Sequence, residues 1–453
     1  MNSTSFSSLK RPAILFPGQG SSWQQALADA AATPVARIRM EQLLNDAQSL
    51  TAAVARPLAS VVPGVVQRIR DAMDADTSHE AIDVLPAVSA PAILLSQIVA
   101  AEDLEQLGLD TTDALFAGHS QGILGAAALN RANGPQAAEK ALAFAFIMGA
   151  AATNVYGGAD SRSRMLSVRG LTPEQVGEFV VDTQAAPISV INGHRHVVLS
   201  GSPEALAQAR KDIEAAASNY NAKLEVEYGG SEITPVFDSL DVAYPFHVDT
   251  NAPGVELAQQ WADACGITFE TTTPRELAQS ILVDRFDFTE TVRDLIAQGA
   301  SHIFTFDTAT ATIATNLANG SGVAVLDAST AAKRDELARP GAELPQGVDY
   351  SAYAPRVIAL PDGKTYTQTK FSSLTGLSPI ILGGMTPTSA DGEIVAAAAN
   401  AGYWAELAGG GMYSEEEFGK HTANLKAFLQ PGRTAQFNTM FFDRFLSVSY
   451  THL

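Results

Sequence analysis

The sequence predicts an α/β protein built on a mostly parallel sheet, with a smaller α+β subdomain inserted into it. Short buried strands alternate with helical segments through the first 150 residues, which is typical of a parallel sheet covered on both faces. A β-α-β-β-α-β pattern follows at residues 165–230, the order of a ferredoxin-like subdomain. A second alternation of strands and helices begins near residue 376 and stops after two and a half units, so it predicts an incomplete barrel.

Composition and charge favour a globular enzyme and exclude several other classes. The chain of 453 residues has room for two or three domains, and its formal charge of -20 argues against nucleic acid and anionic membrane partners. The single cysteine, Cys265, leaves no disulfide framework and no cysteine-based metal site, and we predict no metal. No secretory signal is evident, and the apolar stretches 88–101 and 141–152 are too short or interrupted to span a membrane. We therefore expect a cytoplasmic protein.

Two turns that follow buried strands carry the predicted chemistry. The strand at 13–16 leads into Pro17-Gly18-Gln19-Gly20, and the strand at 114–117 leads into Gly118-His119-Ser120-Gln121-Gly122. A serine between a strand and a helix, with glycines two residues to either side, is typical of a nucleophile elbow. The sequence therefore predicts that Ser120 is an exposed nucleophile at the carboxyl end of the sheet.

A serine hydroxyl needs a neighbouring base, and His247 is the best candidate among the eight histidines. It lies in Tyr244-Pro245-Phe246-His247, a loop fixed by proline that follows the inserted subdomain. His119 adjoins Ser120, but neighbouring side chains on an elbow diverge, so we expect His119 to have a packing role.

Acyl chemistry also needs two donors for the developing oxyanion. The backbone N–H of Gln121, the residue after the nucleophile, is the first candidate. The second is the backbone N–H of Gln19, which glycines on either side allow to point inward.

The inserted subdomain and the segment after it are predicted from local pattern. We expect strands at 165–168, 188–191, 197–200 and 223–228, with helices at 172–181 and 203–217. The composition then shifts toward proline, glycine and charge, and we predict that residues 329–375 form a linker with little structure of its own.

Four motifs in a fixed order resemble the acyltransferase domains of fatty acid and polyketide synthases. They are FPGQG at 16–20, GHSQG at 118–122, ISVINGHRHVVLSG at 188–201 and PFH at 245–247. The resemblance covers residues 10–328 and looks closest to the acetyltransferase domain of type I fatty acid synthases. It implies an α/β-hydrolase-like sheet with the inserted subdomain, Ser120 as nucleophile, His247 as base, and the amides of Gln19 and Gln121 as oxyanion hole. It also implies that a backbone carbonyl orients the base.

The resemblance further implies which acyl group is carried. Malonyl-transferring relatives place an arginine on the helix that follows the elbow helix, whereas this helix, about 136–154, contains Met148 and no arginine. A malonyl carboxylate buried against Met148 would be unpaired. We therefore expect an acetyl or another short uncharged acyl group, with Met148 and Asn192 bordering the substrate; Asn192 is equally well explained as a turn residue.

The C-terminal part, 376–446, resembles a different enzyme of the same synthases. SPIILGGMTPTSADGEIVAAAANAGYWAELAGGG at 378–411, with Gln436-Phe437-Asn438, is similar to the start of the flavin-dependent enoyl reductase, an FMN-binding TIM barrel. The resemblance implies flavin contacts at Gly383, Gly384, Met385, Thr386 and Asn438. Because most of the barrel is missing, we expect neither FMN nor reductase activity here, and we interpret residues 447–453 as a non-native tail.

The sequence thus predicts transfer of an acetyl group from acetyl-CoA to the phosphopantetheine thiol of an acyl carrier protein, with no cofactor. The resemblance implies that the full-length family member is a homo-oligomer. Two alternatives remain open at this point. A serine hydrolase or thioesterase would share the elbow and take Asp238 or Asp241 as its acid. A flavoprotein would use the first domain only as a scaffold.

Overall fold

The computed structural model divides the chain into two compact units, residues 1–349 and 350–453. It describes residues 5–19, 23–74, 85–157, 164–224, 232–359, 365–385, 389, 391–410 and 414–438.

The first unit is an α/β structure whose described strands and helices alternate along the chain. Its strands are β1 (Ala13–Phe16), β2 (Leu115–Gly118), β3 (Met165–Arg169), β4 (Ile188–Gly193), β5 (His196–Ser200), β6 (Val236–Ser239), β7 (Phe286–Asp287), β8 (His302–Thr305) and β9 (Ala324–Asp327). Its helices are α1 (Trp23–Ala30), α2 (Pro34–Leu50), α3 (Ala55–Val61), α4 (Val65–Asp74), α5 (Pro86–Gln106), α6 (Ile123–Leu129), α7 (Ala137–Tyr156), α8 (Pro173–Phe179), α9 (Pro203–Leu224), α10 (Ala252–Cys265), α11 (Pro274–Leu282), α12 (Phe288–Ala297), α13 (Thr308–Ala318) and α14 (Ala331–Ala338).

The main sheet is parallel, in the order β2-β1-β8-β9. All four residues of β1 are buried, because helices cover both faces of this central strand. The carboxyl ends of β1 and β2 lie side by side, with Phe16 opposite Gly118. This register brings the two glycine-rich turns predicted from the sequence to one edge of the sheet and confirms the predicted α/β class.

Helices α5 and α7 form the centre of the largest apolar cluster. They approach closely at Gly149, where an added Cβ would lie 2.2 Å from the carbonyl oxygen of Pro86. Among the described residues, α5 is the one helix long and apolar enough to cross a membrane, but 89% of its most apolar window is buried inside the protein. Burial on all sides within a protein core accounts for its composition.

The inserted subdomain has the ferredoxin-like order β6-β3-β5-β4, and neighbouring strands are antiparallel. This topology confirms the prediction, but the position of its last strand was predicted wrongly. Of the expected strand at 223–228, residues 223 and 224 belong to α9 and residues 225–228 lie outside the described residues, whereas the strand that completes the described sheet is β6 at Val236–Ser239. Good helix formers such as Ala222 and Lys223 extend the helix, whereas short local patterns do not reveal which strand will complete a sheet.

Strand β7 joins the subdomain to the main fold. Its residues Phe286 and Asp287 come from the segment after α11, yet they pair in parallel with Val190 and Ile191 of β4. The inserted sheet therefore has five strands in the part of the chain that the structure describes, and its edge pairs with the segment that leads into α12.

The predicted linker at 329–375 contains regular structure. Helix α14 packs against α5, and its Arg334 side chain, 4% exposed, lies 2.6 Å from Asp103 of that helix. Arg334 also donates to the carbonyl oxygen of Ala328 at 3.1 Å. The prediction failed because the ion pair joins residues 231 positions apart, a contact that composition cannot reveal.

The second unit contains β10 (Arg356–Ala359), β11 (Thr365–Gln368), β12 (Ser378–Leu382), β13 (Tyr403–Ala408) and β14 (Gln436–Asn438), with helices α15 (Lys370–Thr375), α16 (Gly392–Asn400) and α17 (Glu415–Phe428). Strands β10 and β11 form an antiparallel hairpin inside the segment predicted as linker. Strands β12, β13 and β14 form a parallel sheet that alternates with α16 and α17, the two and a half units expected. The predicted tail at 447–453 lies outside the described residues.

We predict that the ion pair between Arg334 of α14 and Asp103 of α5 stabilises the folded state. Asp103→Asn would leave the buried guanidinium without its counter-charge, and we expect the free energy of unfolding to fall by about 2 kcal/mol. Glu214→Gln, which removes an exposed pair with Arg210, should change it by less than about 0.5 kcal/mol. Urea denaturation of both variants checks this, and equal effects would contradict it.

Candidate active site

The elbow has the geometry that a nucleophile requires. Ser120 has a φ of 51°, in the left-handed region, immediately after β2 and at the start of a single 3-10 turn that continues into α6. An added Cβ at Gly118 would lie 2.0 Å from Gly122, and one at Gly122 would lie 2.0 Å from the carbonyl oxygen of Phe16. The two glycines therefore allow the chain to turn tightly against β1, and the strained residue between them projects from the end of the sheet.

His247 lies directly against the nucleophile. Its Nε2 is 2.7 Å from Ser120 Oγ, and its Nδ1 is 2.7 Å from the carbonyl oxygen of Asp284. Because a carbonyl oxygen only accepts, Nδ1 carries the proton and the lone pair of Nε2 faces the serine hydroxyl. The ring is thus in the tautomer of a general base, oriented by a backbone carbonyl as the resemblance implied.

The loop that carries His247 is held on two sides. Asn251 donates to the carbonyl oxygens of Pro245 at 2.7 Å and of Leu282 at 2.9 Å. Ser200, at the end of β5, donates to the carbonyl oxygen of Phe246 at 2.9 Å. His247 itself has a positive φ of 59°, a conformation that persists only where surrounding contacts impose it.

Burial keeps the base neutral. His247 is 3% exposed, and this desolvation lowers its pKa from 6.5 to about 4, although the carbonyl of Asp284 acts in the opposite direction. The imidazole is therefore unprotonated at neutral pH, the state in which it can accept the serine proton.

The acids that a hydrolase reading requires lie elsewhere. Asp238 forms an ion pair with Arg169 at 2.6 Å, and Asp241 is exposed. The Nδ1 of His247 is engaged by the Asp284 carbonyl, so neither carboxylate orients the base.

Gln19 and Gln121 both lie beside Ser120 in the wall of one cavity. The side-chain amide of Gln19 donates to Ser89 Oγ at 3.1 Å, and that of Gln121 donates to the carbonyl oxygen of Ala90 at 3.0 Å. Both side chains thus point at α5, which holds the backbone of each turn in place. Their backbone amides remain the predicted oxyanion donors; Gly20 lies outside the described residues.

The cavity has a volume of about 530 Å³ and is lined by the elbow, the first turn, α13 and one face of the inserted sheet. Alternate residues of β3 face it, namely Met165, Ser167 and Arg169, whereas Leu166 and Val168 pack in the subdomain core. Apolar side chains form much of the remaining wall: Val190, Val198, Leu240, Val242, Phe246, Ile281 and Ile313. Polar side chains of α13 and of the residue before it complete the wall: Asp307, Thr310, Thr312 and Asn316.

Asn192 lines the cavity, where the sequence analysis placed it, but its Oδ1 is engaged by the protein. His119 Nε2 lies 2.7 Å from that oxygen. Sequence reasoning gave His119 only a packing role; a hydrogen bond between residues 73 positions apart leaves no local signal.

Met148 is not among the described residues that line the cavity. Its side chain is 1% exposed and packs in the main apolar cluster with its neighbours on α7. The border between Met148 and the substrate therefore stays a prediction, one that the burial of this side chain does not support. Among the described lining residues the one arginine is Arg169, which is paired with Asp238.

The glycine turn of the second unit is predicted to contact flavin. Gly384 and Asn438 do come together, since an added Cβ at Gly384 would lie 2.7 Å from that of Asn438. However, the backbone N–H of Gly384 donates to Glu406 Oε2 at 2.9 Å, and that of Met385 donates to Ser389 Oγ. These two backbone amides already donate to acceptors within the chain. One of the acceptors is the Glu406 carboxylate, whose negative charge would repel a flavin phosphate, so the turn does not fit a phosphate. Gly383 has open space around it, and Thr386 lies outside the described residues.

Three histidines, of which His119 and His196 line the cavity and His247 contacts Ser120, make stability depend on pH. Burial lowers the pKa of His119, and it lowers the pKa of His196 and His247 from 6.5 to about 4. Below about pH 6.5 the unfolded chain binds protons that the folded chain does not, so the free energy of unfolding should fall as the pH falls from about 6.5 to about 4.

Urea midpoints measured between pH 7.5 and pH 5 check this expectation. His196→Gln should make the dependence shallower because it removes one of the three groups. A midpoint that stays constant down to pH 5 in the parent protein would contradict it.

The comparisons with known proteins agree with this geometry. Residues 164–239 match the family model described as the fatty acid synthase central AT domain. The chain is 26% identical over 385 residues to the fatty acid synthase subunit beta of Aspergillus oryzae, covering 72% of this chain and 19% of that protein. It is 26% identical over 327 residues to the corresponding subunit of Saccharomyces cerevisiae, covering 63% of this chain and 16% of that protein. The chain thus spans about a fifth of the length of these relatives or less.

Solved structures show the fold. An acyl-carrier-protein-S-malonyltransferase from Bartonella henselae superposes with a TM-score of 0.51 at 19% identity, covering 72% of this chain and 98% of that one. A malonyl-transacylase solved with a polyketide acyl-carrier protein gives 0.52 at 19% identity, covering 73% and 99%. The predicted acyltransferase fold is therefore confirmed, and the sequence matches support a relation to the acyltransferase region of type I fatty acid synthases.

Proposed function

We propose that this chain transfers an acetyl group from CoA to the phosphopantetheine thiol of an acyl carrier protein during fatty acid biosynthesis, through an acyl-Ser120 intermediate. The observation that carries the proposal is the 2.7 Å contact between Ser120 Oγ and His247 Nε2, with Ser120 in the wall of a cavity. The sequence similarity to fatty acid synthase subunits supports the pathway. The likeness to a transacylase solved with its carrier protein supports the partner.

In the first half-reaction His247 takes the proton from Ser120 as the oxygen attacks the thioester carbonyl. The tetrahedral oxyanion accepts hydrogen bonds from the backbone amides of Gln19 and Gln121. Collapse of this intermediate breaks the carbon–sulfur bond, and the CoA thiolate leaves with the proton held by His247. The enzyme is left with acetyl-Ser120 and a neutral base.

The second half-reaction repeats these steps in reverse order with a different thiol. His247 takes the proton of the pantetheine thiol, whose sulfur attacks the acetyl carbonyl. Ser120 Oγ then leaves and recovers the proton, so the nucleophile and the base return to their starting states. The apolar wall of the cavity favours a thiol over water as the attacking group.

Preference for an uncharged acyl group rests on the absence of an available cation. Helix α7 contains no arginine, and the one arginine among the described cavity residues, Arg169, is paired with Asp238. A malonyl carboxylate would have to enter an apolar region without a partner, which is costly. Met148 acts at most indirectly, through the packing of α7.

Incubation with acetyl-CoA followed by intact-mass analysis tests the intermediate. We expect one acetyl group per wild-type chain and none on Ser120→Ala, because the alanine has no oxygen to acylate. Asp241→Asn, an exposed carboxylate away from the base, is the matched control and should label normally. Persistent label on Ser120→Ala would remove Ser120 from this role, and rapid loss of label in buffer without a thiol would favour a hydrolase.

The same assay with malonyl-CoA tests the acyl preference. Malonyl labelling should be at least about tenfold slower than acetyl labelling, because its carboxylate has no partner. A dominant malonyl adduct would overturn the argument from Arg169 and α7.

We also propose that the second unit does not bind FMN in this chain. The amides of Gly384 and Met385 are engaged by Glu406 and Ser389, which leaves these donors unavailable to a phosphate. The purified protein should be colourless and should not quench the fluorescence of added FMN. A yellow preparation would contradict this and revive the flavoprotein alternative.

A further inference from the structure

The imidazole of His119 contacts several of the elements that surround the candidate site. On one side its Nε2 reaches Asn192 Oδ1 of β4 at 2.7 Å. On another, its ring meets Phe288 edge-on with centroids 4.7 Å apart, and Phe286 at 5.2 Å. Elbow, inserted subdomain and the start of α12 therefore meet at one side chain.

The first glycine-rich turn also packs on His119. An added Cβ at Gly18 would lie 2.8 Å from the carbonyl oxygen of His119 and 3.0 Å from its Nδ1. The turn that presents Gln19 thus lies in contact with the imidazole. A displacement of this ring would move the predicted oxyanion donor together with the nucleophile.

The contact reaches the base through Phe286. The ring of Phe286 lies 5.9 Å from that of His247, and the backbone of Phe286 pairs with Val190 of β4. Asn192 lies two residues further along the same strand. Strand β4 therefore contacts both catalytic candidates. It reaches the Ser120 elbow through the Asn192–His119 hydrogen bond, and it reaches His247 through Phe286, which pairs with β4.

The chemistry of the pair determines its proton. A carboxamide oxygen only accepts, so Nε2 of His119 carries a proton and donates it to Asn192 Oδ1. Burial in the cavity wall lowers the pKa of His119, which keeps it neutral. Asn192 is 6% exposed, and its oxygen is committed to this bond.

We propose that His119 and Asn192 form a positioning pair, in which the inserted subdomain holds the Ser120 elbow at the correct distance from His247 and from the turn of Gln19. Asn192 acts through His119 and not by binding the acyl group. The inference rests on the proposed acyl transfer for its biological meaning, but it concerns the activation of Ser120, which can be measured without a thioester.

The test uses a fluorophosphonate probe, which reacts with an activated serine, on the whole chain. Asn192→Asp keeps an acceptor oxygen for His119 and should label at a rate within about threefold of wild type. Asn192→Leu keeps the volume without an acceptor and should label about tenfold more slowly, the cost of one buried unpaired donor. Asn221→Leu, which removes two hydrogen bonds from an asparagine of the same subdomain outside the cavity lining, is the control and should label as wild type.

A double-mutant cycle separates positioning from substrate contact. In a His119→Phe background the leucine substitution should cost less than about twofold, because its partner is already gone. With acetyl-CoA, loss of positioning should lower the rate of acylation at saturating substrate and leave KM nearly unchanged. Should the leucine variant fail to fold, Asn192→Ala replaces it in both comparisons.

Equal slow labelling of the aspartate and leucine variants, equal fast labelling, or additive losses in the cycle would each overturn the proposal. An effect confined to KM would do the same and would indicate that Asn192 contacts substrate. If the wild type reacts with the probe but not with acetyl-CoA, the proposed function fails while the positioning pair is still tested.

Discussion

The hydrogen bond between Ser120 Oγ and His247 Nε2 joins residues 127 positions apart, and most of the first unit serves to hold those two atoms together. The backbone φ is 51° at Ser120 and 59° at His247. Residues other than glycine rarely adopt such a positive φ unless surrounding contacts stabilise it. The elbow is supported by close contact of Gly122 with β1, and the base by the Asp284 carbonyl and by Asn251. Two strained turns thus depend on packing that is distributed over the whole α/β core.

The inserted subdomain contributes more than a wall to the cavity. Ser200 of β5 donates to the carbonyl of Phe246 beside the base, whereas Asn192 of β4 accepts from His119 beside the nucleophile. The subdomain therefore contacts the site from both sides. A rigid five-stranded sheet is a suitable support, because catalytic geometry tolerates only small displacements.

Burial, and not the net charge of the chain, determines the protonation state of the histidines around the cavity. Although the chain carries a formal charge of -20, desolvation keeps the imidazoles of His196 and His247 neutral, with each pKa near 4. Arg169 at the end of β3 and Asp238 of β6 are about half exposed, and their opposite charges form an ion pair. Besides this pair, the described cavity lining includes the carboxylate of Asp307, which caps α13 through the backbone N–H of Thr310.

Local sequence patterns were enough to predict the α/β class, the ferredoxin-like order and the glycine-flanked turn at Ser120, whereas His247 as base was implied by the family resemblance. The first three follow from strand and helix periodicity and from glycine spacing, which act within a few residues. Only the tertiary structure placed the closing strand at β6, gave α14 its ion pair with Asp103, buried Met148 away from the cavity and paired Asn192 with His119. Each of these depends on partners far apart in the chain, whose contact is decided by how the layers pack and leaves no periodic trace in the sequence.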